Sequence, residues 1–145
     1  MNSKKIKYDS ATILGVDYGR ANIGLALGRN GLVTPLEVIS AKNTNNALIR
    51  INRVVIENKV ELIILGLPLT MEGKDTAESI EIRRFAKILK TNTKRPVETQ
   101  NEYGSSARAF EEALDLGISE KHRKTNDHLA AAYILRMYYD DKGIE

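Results

Sequence analysis

Thr12-Ile13-Leu14-Gly15-Val16-Asp17-Tyr18, then Gly19-Arg20, then Ala21-Asn22-Ile23-Gly24-Leu25-Ala26-Leu27-Gly28-Arg29 is the stretch on which the fold turns. An apolar run ends in a carboxylate, a two-residue turn signal follows, and a second extended run begins, which is the pattern of a hairpin. In the second run Ile23, Leu25 and Leu27 are large while Gly24, Ala26 and Gly28 are small, so one face is bulky and the other bare. A bare face predicts something packed close against it, and a helix is the favoured occupant. Asp17 matters for a different reason. Stripping water from an unpaired carboxylate at the end of a buried run is very unfavourable, so this side chain must be paired, neutralised or bound to a metal.

Working outward, Asn30-Gly31 is a second turn signal and Leu32 to Ile39 a third extended segment, so the chain opens as a meander. The period then changes. Leu48, Ile51 and Val55 recur at helical spacing within Asn45 to Lys59, and Glu61 to Gly66 reads as a buried strand. Asp75 with Glu78 forms an acidic variant of the capping box, opening a helix whose inner face carries Ile82, Phe85, Ala86 and Leu89. Pro96 to Asn101 is the last strand. Two helices close the chain, one from near Ser105 to Gly117 and one from about Asn126 to Asp140 with Ala130, Tyr133, Ile134 and Met137 as its core stripe. The order β-β-β-α-β-α-β-α-α predicts an α/β fold: a meander feeding crossovers, hence a mixed five-stranded sheet covered by helices. In open sheets of this kind ligands bind beyond the carboxyl ends of the strands.

A chain of 145 residues with 42% apolar content predicts one domain over residues 1–145, with residues 1–10 a flexible N-terminal extension. Its 22 basic and 19 acidic side chains leave a net charge of only +3, so affinity for nucleic acid must come from local clustering. The absence of cysteine removes disulfides, thiolate nucleophiles and cysteine zinc sites, and agrees with a reducing compartment. His122 and His128 alone cannot close a zinc site. No signal-peptide pattern follows the basic N-terminus, and Val60 to Leu69 falls far below the roughly 20 residues needed to cross a bilayer. A cytoplasmic protein with no membrane association is expected.

Three carboxylates can meet at one sheet edge: Asp17 ending the first strand, Glu102 just past the last, and Asp127 in the opening turn of the final helix. Such groups repel one another unless they share a proton or a divalent metal, and hard oxygen ligands suit Mg²⁺ or Mn²⁺. Metal-assisted phosphodiester hydrolysis is the chemistry that follows. Each acid also has a plain reading: Asp127 as a helix-start acid, Glu102 as a solvated loop acid, and Asp17 as the partner of Arg20 or a lysine. Lys121-His122-Arg123-Lys124, just before the final helix, offers Arg123 and Lys124 to nucleic-acid phosphates, although short basic runs are usually solvated loops. Gly66-Leu67-Pro68-Leu69-Thr70-Met71-Glu72-Gly73 joins a strand to a helix on the same edge, and by itself reads as an ordinary loop.

Taken together, Ile13-Leu14-Gly15-Val16-Asp17-Tyr18-Gly19 with Ile23-Gly24-Leu25-Ala26, Pro35-Leu36, Gly66-Leu67-Pro68-Leu69 with Gly73, Asn101-Glu102, and Asp127 with Ala130-Ala131 and Ile134-Leu135 resemble the YqgF group of ribonuclease-H-like proteins. That group is known as Holliday junction resolvases and as nucleases maturing the small-subunit ribosomal RNA precursor. The resemblance spans roughly Ile13 to Tyr139. It implies a ribonuclease-H-like fold in which Asp17, Glu102 and Asp127 are the catalytic, metal-binding acids and Gly66, Leu67, Pro68 and Gly73 border the substrate. Where many members read Asp-Glu-Arg, one further residue and two hydroxyls, this chain has Asn101-Glu102-Tyr103-Gly104-Ser105-Ser106. Ser105 and Ser106 keep the hydroxyls, but an acid and an arginine are gone, which removes a possible phosphate contact. Arg20, in the turn after Asp17, is the remaining candidate for a substrate contact.

The expectation is therefore a cytoplasmic Mg²⁺- or Mn²⁺-dependent endonuclease, a monomer or weak dimer, acting on structured RNA. Precursor 16S ribosomal RNA is the favoured substrate and precursors of the ribosomal subunit are candidate partners. A Holliday junction resolvase is the second reading, because two symmetric cuts need two sites. A non-catalytic nucleic-acid-binding module is the third, motivated by the altered turn. A phosphate loop of the actin-like or sugar-kinase type is the fourth, although those proteins need two such domains.

Overall fold

In the computed structural model residues 10–102 and 127–144 are described, with side chains in the last segment from Leu129 onward. The meander forms as expected: β1 (Ile13–Tyr18), β2 (Asn22–Arg29) and β3 (Leu32–Ser40). Then come α1 (Thr44–Glu57), β4 (Leu62–Leu67), α2 (Ala77–Thr93), β5 (Val97–Asn101) and α3 (Asp127–Asp141). The predicted helix from Ser105 to Gly117 and the N-terminal extension lie outside the described residues, apart from Ser10.

The sheet runs β3-β2-β1-β4-β5, with the meander antiparallel and β1, β4 and β5 parallel. Side-chain alternation divides it cleanly. Leu14, Val16, Ile23, Leu25, Ile63, Leu65 and Leu67 point to the side covered by α1 and α2. Ile13, Ala26, Leu62 and Ile64 point to the other, where Ala131, Ile134, Leu135 and Tyr138 of α3 pack on them. The bare face of β2 is thus filled by a helix, as its alternation predicts. A Cβ at Gly28 would lie 2.6 Å from the Tyr139 hydroxyl. Burial there pushes the Tyr139 phenol above its ordinary pKa, an effect the Gly31 backbone only partly offsets.

Two local readings shift. The cap of α2 is Thr76 and not Asp75: Thr76 Oγ1 accepts from the Ser79 amide at 3.0 Å, and Ser79 Oγ accepts from the Thr76 amide at 2.7 Å. Asp-Thr-Ala-Glu and Thr-Ala-Glu-Ser both satisfy a capping pattern. Burial of Ser79 against the core, at 0% exposure, selects the second. In α3 the sheet-facing stripe is Ala131, Ile134, Leu135 and Tyr138, while Ala130 and Tyr133 form a separate cluster with Leu129 and Met137. The helix is buried nearly all round from Ala130 to Leu135, so periodicity alone could not choose its inner face.

Candidate active site

The carboxyl ends of β1, β4 and β5 share one edge because these strands are parallel. Asp17 is the fifth residue of β1 and lies opposite Gly24 of β2. Strand parity puts it on the same side as Gly15, the side covered by α3. Gly15 pairs with Ile64 and Val16 with Leu65, so the next step of that register brings Asp17 level with Gly66.

Glu102 arrives from the neighbouring strand. Its amide donates to the Leu67 carbonyl at 3.1 Å, extending the β5 pairing by one residue and turning the side chain back over β4. There it rests on Gly66: a Cβ at that position would stand 2.9 Å from Glu102 Oε2, 3.0 Å from Cδ and 2.4 Å from Ile134 Cδ1. Glycine at 66 leaves the room in which the ends of the Glu102 and Ile134 side chains rest. Glu102 is only 9% exposed, so its carboxylate is a buried acid and not the solvated loop acid of the plain reading. The fold thus seats Glu102 on β4 at Gly66, the position that the register sets level with Asp17 on the neighbouring strand.

The third is placed by its backbone. Residue 127 opens α3, which descends across the sheet against the direction of β1, with Ala131 and Leu135 over Gly15 and Tyr139 over Gly28. One helical turn from Ala131 back to residue 127 is about 6 Å, and the two strand residues from Gly15 to Asp17 cover nearly the same distance. The start of α3 therefore stands at the height of Asp17 above the sheet. The Asp127 side chain, like Ser105, Ser106, Arg123 and Lys124, lies outside the described residues, and among the described residues no three acids or histidines form a metal-sized cluster.

The segment after β4 forms a tight loop on the same edge. The Gly73 amide donates to the Thr70 carbonyl at 2.9 Å, the Thr70 amide to the Lys74 carbonyl at 2.9 Å, and the Lys74 amide to Thr70 Oγ1 at 3.0 Å. Gly73 adopts φ +82°, which an L side chain rarely tolerates. Thr76 Oγ1 donates to the Pro68 carbonyl at 3.0 Å, fixing the loop to the start of α2. Asp75 Oδ1 accepts from Ser79 Oγ at 2.7 Å and from Arg83 Nε at 2.9 Å, and these bonds hold its carboxyl below the ordinary range. Gly66 and Leu67 are buried inside β4, whereas Pro68 is half-buried and Gly73 exposed. The first two act on the site from within, by seating Glu102.

Arg20 is 87% exposed, with Nε 3.5 Å from Glu81 Oε2 on α2, so its ion pair is with Glu81 instead of Asp17. Two features escaped sequence reasoning. Tyr18 stacks on Phe85 with ring centroids 4.4 Å apart, tying the strand end that carries Asp17 to α2. Met71 stands 76% exposed in the loop. The aromatic pair spans 67 positions of sequence and leaves no local signal; the loop methionine could have been noticed as an apolar residue among turn formers.

A five-stranded mixed sheet of this order, with helices on both faces and acids at the carboxyl ends of its parallel strands, defines the ribonuclease-H-like class. Two junction resolvases share the fold at 16% identity. Thermus thermophilus RuvC, solved in complex with a Holliday junction substrate, aligns with a TM-score of 0.58 over 92% of this chain and 96% of its own. The fowlpox virus resolvase in complex with junction DNA gives 0.54 over 92% and 99%. Within that class the chain belongs to the RuvX family, described as Holliday junction resolvase, which it matches over residues 11–141. Relatives named "Putative pre-16S rRNA nuclease" are 35% identical over 132 residues in Chloroflexus aggregans and 33% identical over 131 in Methylobacillus flagellatus. These alignments cover 89% and 88% of this chain, and 93% and 90% of the relatives.

Proposed function

We propose that this protein is a divalent-metal-dependent endonuclease that cuts structured RNA, with the precursor of 16S ribosomal RNA as substrate and cytoplasmic ribosomal-subunit precursors as the setting. The observation that carries this reading is the buried Glu102 carboxylate seated on Gly66, on the strand next to Asp17 and level with it. Carboxylate oxygens converging at the end of parallel strands fit Mg²⁺ or Mn²⁺, with Asp17, Glu102 and Asp127 as the residues that would hold it. When bound, such an ion supplies Lewis-acid stabilisation of charge on the reacting phosphate and eases deprotonation of water.

The protein's own part is placement. β1 and the Leu67 carbonyl hold the backbones of Asp17 and Glu102, α3 and Ile134 exclude water behind them, and the locked loop from Pro68 to Gly73 orients the nucleic-acid strand. Arg20 and the segment carrying Ser105, Ser106, Arg123 and Lys124 supply phosphate contacts. The test is Asp17→Asn, a nearly isosteric change that removes a ligand charge. Cleavage of precursor RNA should fall to the level seen with chelator while the melting temperature stays within a few degrees; wild-type cleavage by this variant would sink the mechanism.

Branched DNA is the second reading, favoured by the description of the matching family and by the junction complexes of its fold neighbours. It requires two sites acting together, hence a dimer. Purified protein offered precursor RNA, four-way DNA and plain duplexes, each with Mg²⁺, Mn²⁺ or chelator, decides among the readings. Paired cuts in the junction by a dimer select the resolvase, and salt-sensitive binding without turnover selects a binding module.

A further inference from the structure

Residues 83–95 hold six of the chain's 22 basic side chains and no acid, so the rest of the chain carries a formal excess of three acids. The cluster makes up the carboxyl-terminal half of α2 and the turn after it. Two of the six are engaged: Arg83 pairs with Asp75, and Arg95 Nε donates to the Val60 carbonyl at 2.8 Å, fastening the end of α2 to the entry of β4. Arg84, Lys87, Lys90 and Lys94 are exposed and have no side-chain ion pair among the described residues. Cations near a helix end are favoured by the macrodipole, but that effect fades within the last turn. It accounts for Lys90 and Lys94 and leaves Arg84 and Lys87 without a reason.

Spacing supplies one. Arg84, Lys87, Thr91 and Lys94 recur at i, i+3, i+7 and i+10, on the side of α2 opposite the buried Ile82, Phe85 and Leu89. The stripe is about 15 Å long. Lys87, Ile88, Thr91 and Asn92 line a shallow depression along it, adding the Asn92 amide to the charges, while the Thr91 hydroxyl donates to the Lys87 carbonyl at 3.0 Å. α2 begins beside the loop at the acidic edge and leads away from it on the face of the sheet opposite α3, so the middle of the stripe lies about 20 Å along the helix from Thr76.

We propose that this stripe is a second docking surface that grips the phosphate backbone of an RNA duplex flanking the cleavage site, whose cut strand passes round the sheet edge to the acids on the other face, a proposal that rests on the RNA reading of the acidic edge. An A-form stem offers phosphates and 2′-hydroxyls without a readable deep groove, which a row of cations with a neutral amide beside it matches. A short oligonucleotide cut at the acids does not reach the stripe, whereas a precursor with a long stem does.

The test is the triple variant Arg84→Gln, Lys87→Gln, Lys94→Gln, bound to a long-stemmed RNA hairpin in chelator across a salt series. Its log-log salt slope should fall by about 2 to 3, with affinity at moderate salt reduced roughly tenfold or more. Cleavage of a short oligoribonucleotide spanning the scissile bond should keep its wild-type rate. An unchanged slope overturns the proposal, as does an equal loss in a charge-matched variant with Arg29, Arg53 and Arg136 changed to Gln. Intact RNA affinity with lost binding to polyglutamate reassigns the stripe to an acidic protein, which also overturns it. Failure of the wild type to cut the short RNA strikes the proposed function instead, and the slope still decides the stripe.

Discussion

The two faces of the sheet are made by the same strands and follow different rules. Toward α1 and α2 every inward position of β1 and β4 is a large aliphatic or an aromatic, and the layer is a filled core. Toward α3 the same strands read Ile13-Gly15-Asp17 and Leu62-Ile64-Gly66, beside Gly24, Ala26 and Gly28 of β2. Bulk is withdrawn row by row until, at the carboxyl edge, a glycine seats one acid and the neighbouring strand contributes another. One face gains stability by filling space. The other gives up bulk so that α3 can lie close and the Glu102 carboxylate can be held where water is scarce.

If this division holds, substitutions on the two faces should fail in different ways. The largest loss of stability belongs to the filled side: Leu65→Ala opens a cavity under α1 and α2 and should lower stability by about 2–5 kcal/mol. Thermal unfolding should drop by roughly 5–15 °C, while the folded fraction binds Mn²⁺ as the wild type does. Weakened Mn²⁺ binding by the folded fraction would mean that the faces are not independent.

Next comes Gly15→Val. Its Cβ would stand 2.6 Å from Leu135 Cγ and 2.9 Å from the Ala131 carbonyl, and the backbone of α3 cannot swing aside as a side chain can. A loss of about 1–3 kcal/mol is expected, together with weaker metal binding because the start of α3 is displaced. Calorimetry with and without Mn²⁺ measures both.

The smallest stability change and the sharpest functional one should come from Gly66→Ala. The added methyl meets the Ile134 side chain and the Glu102 carboxylate, both of which can move, so only about 1–2 kcal/mol should be lost. Adding Ile134→Val should restore most of that stability without restoring Mn²⁺ affinity, since Glu102 stays displaced. Recovery of both together would show that the glycine serves helix packing alone.

The sequence announced some of this and hid the rest. The alternation in β2 foretold a close-packed helix on its bare face, and Tyr139 over Gly28 is that contact. The meander followed by crossovers foretold the mixed sheet, and the strand-end position of Asp17 marked the edge. Glu102 was harder, because nothing in Asn101-Glu102 distinguishes a buried acid from a solvated one; that is settled by Gly66, thirty-six positions earlier. The α2 cap was ambiguous between two overlapping motifs until the burial of Ser79 chose one.

By itself, then, the sequence determined the order and type of the described elements, the two-faced character of β2 and the place where a charge interrupts an apolar strand. These are carried by side-chain periods over a few consecutive residues, and they hold whatever the rest of the chain does. Only the tertiary structure decided which side of α3 meets the sheet, which residue caps α2 and where Glu102 comes to rest. Each depends on how much room remains between residues far apart in the chain, and room is a property of the packed molecule.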